Sequence, residues 1–302
     1  MTSENKKTIS LVLGSGGARG LAHIGVIRWL EENNVEIKSI SGSSVGAMVG
    51  GVYAAGKLDE FEEWVRAITK LDIITLLDIS WRKSGLVKGE KVINTLKELV
   101  GDLTIDELPI KFTAVASDIL NEKEVWMNSG KLFDAIRASI SLPLFFTPFP
   151  YRGVDLIDGG VLNPVPIAPT FGDGNDITIA VNLGGQVEVD DTHHPESTQI
   201  KKPNKNGDKK PSALALKINS FIESLKGSSD NGTHNNWDVY DVANQAFDAM
   251  QSTIARHKLA TYPPDFSVEI ARNACGILEL NRADEMIKLG YQKAEEYLHD
   301  KI

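Results

Sequence analysis

The stretch Ser39-Ile40-Ser41-Gly42-Ser43-Ser44-Val45-Gly46-Ala47-Met48-Val49-Gly50 decides how this chain is read. It begins inside a short apolar run, VEIKSIS at 35–41, which reads as a buried strand. After Ser44 comes VGAMVGGVYAAG, small and apolar, which reads as a helix packed beneath a sheet. Ser44 therefore stands on a strand-to-helix turn, inside Gly42-Ser43-Ser44-Val45-Gly46, which fits G-x-S-x-G. A nucleophile suits such a turn. Glycines on either side carry no Cβ to collide with the adjoining strand and helix, and a helix N-terminus favours negative charge nearby. A plain turn serine is the alternative, and five residues alone do not decide between them.

Working outward, TISLVLG (8–14) reads as a buried strand that stops at glycine. SGGARG (15–20) is a glycine-rich loop. LAHIGVIRWLEENN (21–34) places Leu21, Ile24, Ile27 and Leu30 near helical spacing, with Asn33 and Asn34 as stop signals. The order strand, loop, helix, strand, turn, helix is a parallel α/β unit. It brings the loop to the same C-terminal sheet edge as Ser44. There the backbone N–H groups of GSGGARG (14–20) suit the oxyanion of an acyl transfer. A phosphate loop fits poorly. The G-x-G-x-x-G register fails because Arg19 holds its sixth position, and G-x-x-x-x-G-K-[ST] is absent. A purely structural turn is the third reading.

Further along, LDEFEEWVRAITK (58–70) and GEKVINTLKELVG (89–101) read as amphipathic helices, and IKFTAVASDI (110–119) and KEVWMNSG (123–130) as strands. LFDAIRASISLPLFF (132–146) is a helix ended by Pro143. VDLIDGGVLNPVP (154–166) is a strand entering a Gly-Gly turn, and DITIAVNLG (176–184) is the last clear strand. From Gln186 to about Pro211 the chain turns polar and reads as an exposed, mobile loop. Helices are expected at 212–227, 238–260 and in RADEMIKLGYQKAEEYLHDK near the C-terminus. The expected organisation is a single domain over 1–302, with a polar insertion around 186–237 and a helical segment over 238–302.

Bulk properties narrow the function. The 302 residues are 42% hydrophobic and 24% charged, an ordinary globular composition, with a formal net charge of −9. That balance argues against a nucleic-acid partner. Cys275 is the only cysteine, so neither an intramolecular disulfide nor a thiolate-rich metal site is available. MTSENKKTIS has no apolar signal region, and no uninterrupted apolar run approaches the ~18 residues of a membrane span. A cytoplasmic protein is expected. No D-x-[DN]-x-[DN]-G loop is present, and no cofactor or metal is expected.

A serine nucleophile needs a base. Of the histidines after Ser44, His193, His194 and His234 lie in polar stretches, and His257 and His299 in or near amphipathic helices. None follows a strand end. His23, in the first helix, reads as packing or hydrogen-bonding locally. Asp158 is different. LIDGG puts a carboxylate at the end of an apolar run, where it is suited to take the serine proton directly. Asp-Gly is also a favoured hairpin pair, and the local sequence leaves both readings open.

Taken together, LVLGSGGARGLAHIGVIRWLEE, ISGSSVGAMVGGVYAAG, FTAVASDI, IRASISLPLFFTPF and LIDGGVLNPVP resemble the patatin-like phospholipase family in its small prokaryotic branch. The likeness covers about 8–184, with an echo at RADEMIKLGYQKAEEYL. It implies a three-layer α/β/α sandwich around a mostly parallel sheet, and a Ser-Asp dyad without a catalytic histidine. Ser44 becomes the nucleophile and Asp158 the base. The amides of Gly16, Gly17 and Ala18 become the oxyanion hole, with Arg19 beside it. The family loop usually reads G-G-G-x-[RK]-G, and here Ser15 stands at the first of those glycines. The resemblance implies hydrolysis of phospholipid or another fatty-acyl ester through an acyl-enzyme. Hydrolysis of soluble esters or thioesters, or a low-turnover binding module on the same scaffold, are the rival expectations. Six lysines over 201–217 leading into the amphipathic stretch 212–227 suggest a lid or peripheral membrane contact, against the plainer reading of a solvated loop and a core-packed helix.

Overall fold

The structure, a computed structural model, describes residues 7–76, 87–188 and 239–302. Its centre is a sheet of eight strands. β1 (Thr8–Leu13) lies between β2 (Glu36–Ser43) and β7 (Ile177–Gly185). β3 (Lys111–Asp118) extends the sheet beyond β2, and β8 (Phe266–Ala271) beyond β7. These five strands run parallel. Three shorter strands are antiparallel additions: β4 (Lys123–Met127) and β6 (Val154–Asp158) pair with β3, and β5 (Phe149–Tyr151) pairs with β6.

Helices cover both faces, which is why the parallel strands read as continuous apolar runs. Along β1, Ile9, Leu11 and Leu13 face the large core, with α1 (Ala22–Glu32), α2 (Val45–Ala54) and the C-terminal helix α8 (Ala283–Leu298). Val12 points to the other face. There it meets Val165, Ile167, Ala180 of β7 and Ala255 of the long helix α7 (Val239–Thr261). The expected mixed α/β sandwich with a mostly parallel sheet is the observed fold.

Three details differ from the sequence reading. The helix expected over 58–70 is two, α3 (Leu58–Ala67) and α4 (Lys70–Leu76), because Ile68 turns extended (ψ 122°) between them. The segment 238–302, expected to be helical, also carries β8, whose Val268 and Ile270 bury on the sheet edge. The helix expected over 132–146, with Pro143 as its end, is α6 (Leu132–Ser139), which stops four residues before that proline, at Ile140 (ψ 10°), while α5 (Glu90–Val100) lies where expected. The polar stretch from Gln186 and the helix expected over 212–227 fall almost entirely outside the described residues.

Candidate active site

β3 acts as a ruler that brings two distant segments together. β2 pairs with it up to Ser43, which stands opposite Val115. β4 occupies the far edge of β3 over Ala114–Asp118, so β6 must pair on the same edge as β2, just beyond its end. Asp158, the last residue of β6, stands opposite Ala116. Ser44 and Asp158 are thus delivered head to head at consecutive positions of one strand. The Ser44 hydroxyl donates to Asp158 Oδ2 at 2.6 Å, and the Gly160 amide donates to Asp158 Oδ1 at 2.7 Å.

Ser44 has φ 56° and ψ −126°, a conformation that a non-glycine residue adopts only under constraint. The constraint is visible. A Cβ on Gly42 would stand 2.5 Å from the Gly46 carbonyl oxygen, and one on Gly46 would stand 2.1 Å from that of Leu13. Only glycines let β1, the turn and α2 approach this closely. The C-terminal end of α6 and the residues that follow it then clamp both members of the pair. Ser139 Oγ accepts the Ser44 N–H at 2.9 Å and donates to the Val115 carbonyl at 2.6 Å, in the gap where β2 gives way to β6. The Ser141 carbonyl accepts the Asp158 N–H at 2.9 Å. Ser139→Ala leaves the buried Ser44 N–H and Val115 carbonyl without that partner. It is expected to cost about 1–3 kcal/mol of stability, read by urea unfolding.

Asp158 is fully buried, and burial pushes its carboxyl up to about 7, against the bonds from Ser44 and Gly160 that favour the ionised form. Such a group sits where a proton acceptor at neutral pH needs to be. Ser44 stays slightly open, at 8% exposure.

The glycine loop lies at the same edge, between β1 and α1. The Ser15 N–H donates to the Pro164 carbonyl and the Ala18 N–H to the Ile277 carbonyl, both at 2.8 Å. The expectation that Ala18 shares in an oxyanion hole therefore meets a competing acceptor. Among the described residues the amides of Gly16 and Gly17 have no protein acceptor, nor does that of Val45 at the start of α2. Arg19 is buried and turned behind the loop. Its Nε donates to the Gly16 carbonyl at 3.0 Å, and its terminal nitrogens reach the Arg272 carbonyl and Asp248. In a trans peptide C=O and N–H point opposite ways, so a Gly16 carbonyl held toward Arg19 directs the Gly17 N–H away from it.

His23 is not a base for Ser44. Its Nε2 lies 2.8 Å from the Gly14 carbonyl, which only accepts, so Nε2 carries the proton. Burial lowers its pKa to about 4, and the ring stays neutral while pinning the entry to the glycine loop. His257 and His299 are exposed, and His193, His194 and His234 lie outside the described residues. Among the described residues no cluster of three or more His, Cys, Asp or Glu is placed to hold a metal ion, and no helix is long and apolar enough to cross a membrane.

The sequence reading assigned no role to Ser139 or Ser141, although both sit in the stretch IRASISLP just ahead of Pro143. Two serines spaced by one residue, shortly before Pro143, were the signal. Ile277, Asp248 and Gln251, which also reach the glycine loop, have no local signal at all.

A serine on a strand-to-helix turn, met by a buried carboxylate beside a glycine loop at one sheet edge, is an arrangement suited to acyl transfer. The family model for patatin-like phospholipase matches residues 11–171. An uncharacterized NTE family protein of Mycobacterium tuberculosis is 37% identical over 342 aligned residues, covering 96% of this chain and 91% of that protein. Neuropathy target esterase sws of Drosophila melanogaster is 30% identical over 62% of this chain, and the match spans only 14% of that longer protein. The human patatin-like phospholipase domain-containing protein 6 is 31% identical over 61% of this chain and 14% of its own length. The chain belongs to the patatin-like phospholipase family. Membership supports lipid hydrolase activity in general.

Proposed function

We propose that this protein is a serine-dependent lipid acyl hydrolase of the phospholipase A type, working through a Ser44–Asp158 dyad. The observation that carries this reading is the 2.6 Å hydrogen bond from a serine on a strained strand-to-helix turn to a buried carboxylate whose pKa is raised to about 7. Asp158 takes the hydroxyl proton as Oγ attacks the ester carbonyl. The amides of Gly16 and Gly17 receive the oxyanion. Asp158 returns the proton to the leaving alcohol or lysolipid, and then activates the water that cleaves the acyl-enzyme. The elements on both sides of 189–238 contribute to one sheet through β7 and β8, which favours reading the chain as one hydrolase domain. The substrate we assign is a phospholipid or another fatty-acyl ester, met by a cytoplasmic protein in peripheral contact with a lipid surface.

Treatment with a fluorescent fluorophosphonate, followed by peptide mass spectrometry, tests the nucleophile. Labelling is expected on the peptide holding Ser44 and is expected to vanish in Ser44→Ala. Folded protein that takes no label, or takes it elsewhere, overturns the dyad. Faster turnover of an ester above its aggregation threshold than below it separates a lipid substrate from a soluble one.

A further inference from the structure

The glycine loop belongs to the family-matched part of the chain, yet part of what holds it comes from far outside that part. Asp248, Gln251, Ser252 and Ala255 form a stripe at helical spacing along α7, turned toward the loop and β7. Gln251 Nε2 donates to Ser15 Oγ at 3.1 Å, and both residues are buried. Asp248 Oδ1 accepts from Arg19 Nη2 at 2.8 Å, and Arg19 in turn holds the Gly16 carbonyl. The two bonds grip the loop on either side of the Gly16–Gly17 peptide. They also touch the other half of the site. A Cβ placed on Gly160, whose N–H supports Asp158, would stand 2.2 Å from Gln251 Nε2 and 2.3 Å from Ser15 Oγ.

The space between helix and loop is small, and polar side chains of the loop, β7 and α7 line it together with Pro164, Leu183 and Ala255. Leu183 and Ile277 pack closely on Gly16 and Gly17, and the Ser15 and Ala18 amides are bonded to backbone carbonyls, so the side-chain bonds from α7 add to a loop already held at its ends. The Ser15 hydroxyl is the acceptor that Gln251 uses, so removing either side chain removes the bond.

We propose that Asp248 and Gln251 of α7 are positioning residues for the oxyanion loop: the Gln251–Ser15 and Asp248–Arg19 bonds hold the Gly16–Gly17 peptide so that the Gly17 N–H faces the reacting carbonyl. The proposal rests on the hydrolase reading above. If the Gly16 carbonyl is released, the peptide is free to rotate, and a carbonyl oxygen then faces the developing oxyanion in place of a donor.

The experiment compares the wild-type protein with Gln251→Ala, Ser15→Gly, their double variant and Asp248→Asn. It measures kcat and KM on a soluble p-nitrophenyl ester, the acid limb of the pH profile, and thermal unfolding. Ser15→Gly removes the same bond as Gln251→Ala while introducing a residue that fits the loop, so it decides the matter if the alanine variant fails to fold. Each single variant is expected to lower kcat about tenfold, within the ~10²-fold that a misplacement near 1 Å brings, with KM changed less than about twofold. The acid limb is expected to stay in place, since Asp158 is untouched. The Gln251–Ser15 double variant is expected to be no worse than either single one, because both remove one bond. Unchanged kcat in Ser15→Gly and Asp248→Asn overturns the proposal, as does a kcat loss that only tracks unfolding or adds fully in the double variant. A wild-type protein that neither hydrolyses the ester nor takes the fluorophosphonate overturns the hydrolase reading itself, which is a different result.

Discussion

Asp158→Asn is expected to lower kcat/KM by roughly 10²–10⁴, the usual share of a positioned general base, and at the same time to make the protein more stable above pH 7. The two effects share one cause. Asp158 is fully buried and its two carboxyl oxygens have one donor each, Ser44 Oγ and the Gly160 amide. Burial raises its pKa from 3.8 to about 7. Between those values the folded protein binds a proton that the unfolded chain has released, so stability falls as pH rises through that window and stays at the lower level above it. An asparagine removes the charge and with it this loss. The melting temperature of the variant should therefore exceed that of the wild type at pH 8, with the gap closing toward pH 4. For the wild type, the acid limb of kcat/KM should fall near pH 7, well above the ordinary carboxylate range. A variant of near-normal activity sinks the dyad, and an acid limb near pH 4 sinks the account of the raised pKa.

Gly46→Ala is expected to destroy the site by a different route. The added Cβ would stand 2.1 Å from the Leu13 carbonyl oxygen, 2.6 Å from its carbon and 2.8 Å from the Gly14 carbonyl oxygen. All three are backbone atoms at the junction of β1 with the glycine loop, so no side chain can swing aside. Either β1 or α2 must move, and Ser44 lies directly between Gly46 and β2. The expected result is a loss above about 4 kcal/mol, in the exceptional range for one substitution, with fluorophosphonate labelling abolished in whatever protein remains soluble. Gly56→Ala is the matched control. Gly56 has φ 69° and nothing within 4 Å of the Cβ position, so only about 1–2 kcal/mol of left-handed strain is expected, with labelling kept. Wild-type melting and labelling in Gly46→Ala would show that the turn is not held by this approach.

The two variants probe the two ways the site is built. Asp158 is held ready by being denied water, which raises the energy of its charged form. Ser44 is held ready by a turn that only small neighbours permit. Both costs are borne by the clamp at Ser139 and Ser141 and by the large core under α1, α2 and α8.

Much of this was legible in the residues. β1, the glycine loop, α1, β2 and α2 follow from apolar runs broken by glycines, because local backbone freedom and burial on both faces leave clear marks on composition. Ser44 and Asp158 each stood out for the same reason, a polar residue at the end of an apolar strand beside glycine. Whether Asp158 met the serine or merely made a turn was not legible. That was settled by pairing along β3, since β2 and β6 are more than a hundred residues apart and register is a long-range property. β8 was missed because in FSVEIA the apolar residues are interrupted by Ser267 and Glu269, and it lies between two helical stretches, although Val268 and Ile270 are deeply buried. Ile277, Arg272, Asp248 and Gln251 were invisible for a related reason. Their contact with the loop consists of single hydrogen bonds across the fold, and a single hydrogen bond imposes no periodicity on the sequence around it. By itself, then, the order of residues determined most of the strands, though not β5 or β8, together with the serine turn and which carboxylate to watch. Tertiary pairing alone decided that the two meet at 2.6 Å, that the Ala18 amide is already engaged, and that the C-terminal helices support the glycine loop.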